Sequence, residues 1–170
     1  VSSLPQEEPM KFYWRRLVGV TLGVLAVAMI SVAAQTDDPI VGSWKLDVAK
    51  STYKPGPAPK STTIVVAPEG KAIKVAVDAV NADGSPLKWG FTTVRDGKQE
   101  APVTGNPMFD TVTASRDSAT AGTNVYKKAG KVVMTTKVAI AADNKSMTVT
   151  TTGTDPKGQA VNNVAHYVRQ

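Results

Sequence analysis

From Trp44 onward the sequence alternates apolar and polar residues with a period of two, and nowhere does an apolar stripe at helical spacing persist for ten residues. Successive side chains of an extended chain point to opposite faces, so the pattern specifies strands with one face buried and the other solvated. In residues 42–48, Trp44, Leu46 and Val48 share a face opposite Ser43, Lys45 and Asp47. Residues 71–80 repeat the arrangement, with Ile73, Val75, Val77 and Ala79 opposite Lys74 and Asp78. Further strands are predicted over 61–67, 87–95, 111–116, 123–128, 131–141, 147–153 and 161–169, nine in all.

Short turn sequences separate them: Asn81-Ala82-Asp83-Gly84, Asp96-Gly97-Lys98, Ala129-Gly130, Asp143-Asn144-Lys145 and Asp155-Pro156-Lys157-Gly158. Each supplies residues that tolerate positive φ or preset a turn, and strands joined so tightly are antiparallel neighbours. Two connections are longer, 53–60 with Pro55, Pro57 and Pro59, and 102–110 with Gly105-Asn106-Pro107. Prolines at that density cannot serve a central ladder, so both are read as loops, the first extended and stiff. A meander of this kind removes its exposed edges by closing. The expected fold is therefore all-β, an antiparallel up-and-down barrel of about 8–10 strands.

Ahead of the alternating region, residues 10–35 carry a basic start at Lys11, Arg15 and Arg16, an apolar run over 17–30, and the small-residue exit Ser31-Val32-Ala33-Ala34. This is the pattern of a secretory signal peptide, with cleavage after Ala33 or Ala34. Residues 1–9 then read as an upstream extension, 1–34 as extension plus signal, and 35–170 as the barrel domain, secreted or periplasmic. The apolar run of about eighteen residues is also just long enough to remain as an uncleaved anchor, the one membrane contact the sequence suggests. Gly19 and Gly23 have the spacing of a helix-dimerisation motif and are read as chance.

Removal of 1–34 takes three basic and two acidic residues and lowers the formal charge from +6 to +5. The remaining lysines are scattered, with no block of like charge, so the footprint of a nucleic-acid binder is missing. The chain has no cysteine and one histidine, which excludes thiolate metal sites, thiol nucleophiles and disulfide staples.

Four stretches carry a resemblance. Ile40-Val41-Gly42-Ser43-Trp44-Lys45-Leu46 looks like the opening first strand of the calycin superfamily, the lipocalins and fatty-acid-binding proteins. Residues 47–51 with the Pro-rich 55–61, then Pro102-Val103-Thr104-Gly105-Asn106-Pro107, then the ending over 158–169, resemble small exported lipocalin-like proteins of bacteria. The resemblance implies that Trp44 on the first strand is covered by Arg169 on the last, a structural closure of one barrel end by a guanidinium over an indole face. It also marks departures. Where many fatty-acid-binding proteins carry an Arg-x-Tyr pair on the last strand, this chain reads Ala165-His166-Tyr167, so the Tyr is present and the Arg absent. The Pro-rich loop also stands where a helical lid would follow the first strand.

Catalysis and metal binding have little to work with. His166 is the only imidazole, the period-two rule turns it outward if Tyr167 faces inward, and no nucleophile elbow appears. Asp37-Asp38 and the turn at 81–84 do not match a calcium loop, and the sequon Asn144-Lys145-Ser146 is read as a hairpin turn. The chain is thus read as no enzyme, with no cofactor and no metal. The remaining candidate is a lumen. Alternation places Leu87, Trp89 and Phe91 inward, with Val132, Met134 and Thr136, then Met147 and Val149, together with Tyr126 and Tyr167. Ala79, Thr136 and Thr151 leave volume on those faces.

The sequence therefore predicts a small hydrophobic or amphipathic ligand held by Trp89, Phe91, Tyr126, Met134 and Tyr167. The rival is a barrel with a filled core whose Pro-rich loops engage a macromolecule. Oligomeric state is not legible.

Overall fold

The computed structural model describes residues 38–170. The signal-peptide reading of 10–35 and the boundary at 34/35 lie outside them. Ten strands follow one another: β1 (Gly42–Thr52), β2 (Ser61–Glu69), β3 (Ala72–Val80), β4 (Pro86–Thr93), β5 (Asp96–Pro102), β6 (Thr111–Arg116), β7 (Ala121–Lys128), β8 (Lys131–Ile140), β9 (Ser146–Thr154) and β10 (Ala160–Arg169). They form one antiparallel sheet in the order β4-β3-β2-β1-β10-β9-β8-β7-β6-β5. Every neighbour is next in sequence except β1 and β10, whose pairing rolls the meander into a nearly closed barrel. No helix occurs among the described residues.

The alternation is the physical cause. Along β3, Ile73, Val75, Val77 and Ala79 are buried while Lys74, Ala76 and Asp78 face solvent. The hairpin joining β7 to β8 is made by Ala129 and Gly130, both at positive φ, which matches the twist of the flanking strands. Between the two edge strands β4 and β5 the sheet does not zip: one isolated bridge joins Gly90 of β4 to Thr104 just past β5, whose backbones exchange two hydrogen bonds of 3.0 Å. Gly105 follows at φ +81°, and a Cβ on it would collide with the carbonyl oxygen of Lys88. Only glycine lets the loop lie this close to β4.

Three expectations are corrected. The strand β5 was not foreseen: Asp96-Gly97-Lys98 reads as a turn, yet it opens a strand whose residues are exposed apart from Ala101. With one buried position in seven, it leaves no alternation to read. Val48 does not share the face of Trp44 and Leu46, and is instead 38% exposed. The β1–β10 register shifts between Asp47 and Thr52, because the Ser51 hydroxyl donates to the Asp47 carbonyl at 2.7 Å and accepts the His166 N–H at 2.9 Å. This bulge turns the second half of β1. Val132 likewise does not face inward. A register shift beside the Tyr126–Met134 pair sets Val132 opposite Lys127 on the outer surface, 60% exposed.

Candidate functional site

The order of strands fixes what lies at each end. The start of β1, the end of β10 and the turns after β2, β4, β6 and β8 gather at one end, the floor; loops 53–60, 81–85, 103–110 and 155–159 gather at the other, the mouth. A cavity of about 410 Å³ runs between them, reaching Pro57, Pro59 and Asn106 at the mouth and Ile40 and Arg95 at the floor. That volume lies within the range of small-molecule sites.

The floor is closed by the pair of Trp44 and Arg169, which are register partners on β1 and β10. The Arg169 guanidinium carbon stands 4.1 Å from the indole centroid, and Trp44 is fully buried. The same guanidinium donates to the carbonyls of Val41 at 2.7 Å, Asn144 at 2.6 Å, and Pro39. Trp44 Nε1 donates to the Ile40 carbonyl at 2.9 Å. Gly42 has φ +141°, and a Cβ there would occupy the space of the Arg169 guanidinium. The G-x-W spacing is thus the footprint of one arginine.

The five residues expected to hold a ligand, Trp89, Phe91, Tyr126, Met134 and Tyr167, all line this one cavity. Leu87, Thr136, Met147, Val149, Ala79 and Thr151 line it as well; Val132 does not. Trp89 and Phe91 on β4 meet Tyr126 on β7 and Phe109 of the 103–110 loop, with ring centroids 4.4–6.3 Å apart. The cluster thus joins β4, β7 and the 103–110 loop inside the barrel. The lining from β2, β3, β9 and β10 is mainly aliphatic, with Thr62, Thr151, Asn163 and Tyr167 among it.

Polar side chains also line the cavity, among them Thr62, Asn124, Thr136, Asn163 and three tyrosines. The Tyr126 hydroxyl lies with Asn124 and Thr136, whose side chains bond each other at 3.2 Å. Burial pushes the Tyr126 phenol up to about 12, against hydrogen bonding from Thr136 and Asn124 that works the other way. Burial raises Tyr167 further, reinforced by the nearby phenols of Tyr53 and Tyr126. Tyr53, just past β1, is also raised by burial, with its hydrogen bond to Tyr167 opposing. All three therefore present neutral hydroxyls at physiological pH. His166 is absent from the lining, and its Nδ1 lies 3.2 Å from Thr148 Oγ1.

Sequence reasoning missed Tyr53, Phe109, Asn124 and Arg95. Arg95 had a signal, since it continues the inward series 87, 89, 91, 93; Phe109 had none, because it sits in a loop.

The fold and cavity together define an antiparallel meander barrel with a mostly apolar lumen. Among solved structures the chain is similar to EF1p2_mFAP2b bound to DFHBI (11% identity, 78% of this chain and 94% of that one, TM-score 0.47). It is also similar to the zebrafish ileal bile acid-binding protein complexed with cholic acid (10%, 78% and 99%, 0.46). A third likeness is to the siderocalin Ex-FABP (13%, 78% and 71%, 0.34). At such identities and scores these likenesses carry no argument about this chain's family or about what it binds. No protein-family model matches the sequence, and no curated protein does.

Proposed function

We propose that this chain is an exported lipocalin-like barrel that binds one small apolar or amphipathic molecule in its lumen, without catalysis. The observation that carries the reading is the cavity of about 410 Å³, lined mainly by apolar side chains, with three neutral tyrosines among its lining. Apolar walls supply affinity by removing ligand surface from water, and isolated hydroxyls orient what enters. Trp89, Phe91 and Met134 would contact the apolar part and Tyr167 would offer a hydrogen bond. Export rests on the basic, apolar and small-residue sequence of 10–35.

Pro57 and Pro59 line the cavity mouth, which favours the lumen over the rival in which the Pro-rich loop serves as a recognition surface for a macromolecule. His166 lies off the lumen and has no partner arrangement of a general base, which supports the non-catalytic reading.

The test is native mass spectrometry of the protein recovered from its exported fraction, followed by titration of the delipidated protein with the neutral probe N-phenyl-1-naphthylamine. A reproducible bound mass, or saturable one-to-one probe binding weakened by Trp89→Leu, supports the reading. A clean apo mass with no probe binding refutes it.

A further inference from the structure

Lysines that are scattered along the sequence are gathered by the fold. Lys54, Lys60, Lys128, Lys131 and Lys157 all stand at the mouth, on the 53–60 loop, the β7–β8 hairpin and the 155–159 loop. All five are exposed, and among the described residues none is in an ion pair. The hairpin belongs to this end because Asp110 of the 103–110 loop holds it: the Asp110 N–H donates to the Lys127 carbonyl at 2.9 Å, and its carboxylate accepts the Ala129 N–H at 3.0 Å. The other two aspartates of the mouth loops are engaged by their own turns, Asp83 by Ser85 and Asp155 by the N–H groups of Lys157 and Gln159. Five lysines against three aspartates leave the mouth with an excess of positive charge.

The hairpin concentrates that charge. Lys128 and Lys131 are direct register partners across it, an arrangement that costs stability. Lys127 beside them is paired with Glu100 at 2.5 Å, whereas no carboxylate pairs with these two. Val132 follows at 60% exposed, more than any other large hydrophobic side chain among the described residues. Pro55, Pro57 and Pro107 are exposed on the neighbouring loops. We infer that the mouth is an interaction surface for an anionic lipid bilayer, with the β7–β8 hairpin as its leading contact. Lysine is a mobile point charge suited to a diffuse negative surface, and a leaflet of anionic headgroups attracts each such side chain. The valine and prolines between the lysines supply apolar groups for the interfacial layer. A nucleic acid would call for arginines and stacking aromatics on the same face. The described arginines, Arg95, Arg116 and Arg169, all stand at the floor, and no aromatic side chain is exposed at the mouth. Such docking requires nothing of the lumen, so it and the lumen reading fail separately.

The test is flotation of the protein from its exported fraction with phosphatidylcholine vesicles, with and without about one third phosphatidylglycerol, at about 0.1 M salt. Binding is expected to the anionic vesicles alone, and it should fall steeply as salt is raised. Lys128→Ala together with Lys131→Ala should weaken it by about tenfold or more, while leaving the barrel at least as stable in urea because a like-charge pair is gone. Lys98→Ala together with Lys145→Ala takes the same charge from exposed positions near the floor and should leave binding within about threefold. Lys54→Ala together with Lys157→Ala probes the mouth without touching the hairpin and should also weaken binding, which keeps the test open if the hairpin variant fails to fold. No binding to the anionic vesicles overturns the inference, and so does an equal loss from the mouth and floor pairs, which would reduce the attraction to net charge. A duplex DNA probe that binds more tightly than the vesicles, with the same dependence on Lys128 and Lys131, overturns the choice of a bilayer.

Discussion

Ala79 sits near the mouth end of β3, buried, with its methyl group on the cavity wall and with Leu87 opposite it on β4 and Thr62 on β2. Replacing it by Phe sends a ring into the lumen rather than into a packed layer. In a filled core such a change overpacks and costs about 1–3 kcal/mol. Here about 410 Å³ is free to receive the ring, and burying its apolar surface gains up to about 1.5–3 kcal/mol. The expected stability is therefore equal to or above that of the parent, read as the midpoint of urea unfolding at unchanged slope. Binding moves the other way. A ligand that needs the space must drive the ring back toward water, forfeiting the same about 1.5–3 kcal/mol, which is about tenfold to a hundredfold in Kd. Ala79→Val, with far less added bulk, should show a small fraction of both effects. A folded Ala79→Phe barrel that binds N-phenyl-1-naphthylamine as the parent does would refute the assignment of the lumen as the site. A loss of about 1–3 kcal/mol, with no binding in the parent either, would show a core that is effectively full.

Two further predictions concern the floor and the buried phenols. Arg169→Ala removes three N–H donations to carbonyls and the stacking on Trp44, and should cost about 2–4 kcal/mol in urea unfolding, with Arg169→Lys in between; a change under about 0.5 kcal/mol would show that the pair closes nothing. Tyr126, Tyr167 and Tyr53 bind their protons more tightly folded than unfolded, so the stability they contribute is complete below pH about 10 and is lost as pH rises through their raised folded values, for Tyr126 through about 12. For Tyr126 alone the loss amounts to about 2–3 kcal/mol; tyrosinate absorbance should rise together with loss of circular dichroism, and ionisation of all phenols near pH 10 in the folded barrel would contradict their burial.

The inward faces of β3, β4, β7 and β10 were legible because a barrel wall imposes one rule along a whole strand: every second side chain leaves water. Trp89, Phe91, Tyr126 and Tyr167 came together in one cavity on that rule alone. The rule failed where one residue's position depends on a partner strand. Val48 faces outward because Ser51 grips the backbones of Asp47 and His166, and His166 lies 115 residues away in sequence from Ser51. Val132 faces outward because β8 carries an extra residue beside Tyr126. Neither bulge has a local signature, since Ser and Val are unremarkable in strands. β5 was invisible for a different reason: it buries only Ala101, and Lys98, Gln99 and Glu100 in a row look like a solvated turn.

Arg95 combines both situations. Its position was legible, as the fifth member of the series that begins at Leu87, but a charged residue at the end of an apolar face is ordinarily read as the point where a strand leaves the core. What holds it at the floor is Asp38, 57 residues earlier, which arrives on the segment entering β1 and offsets part of the cost of holding a guanidinium away from water. That segment is anchored in turn by Arg169 through the carbonyls of Pro39 and Val41, and by Trp44 through that of Ile40. The structural closure and the Asp38–Arg95 pair therefore share one short piece of backbone. Loss of Arg169 should loosen the support of Arg95 as well as the barrel end, whereas loss of Arg95 leaves the Trp44–Arg169 pair with all of its own partners.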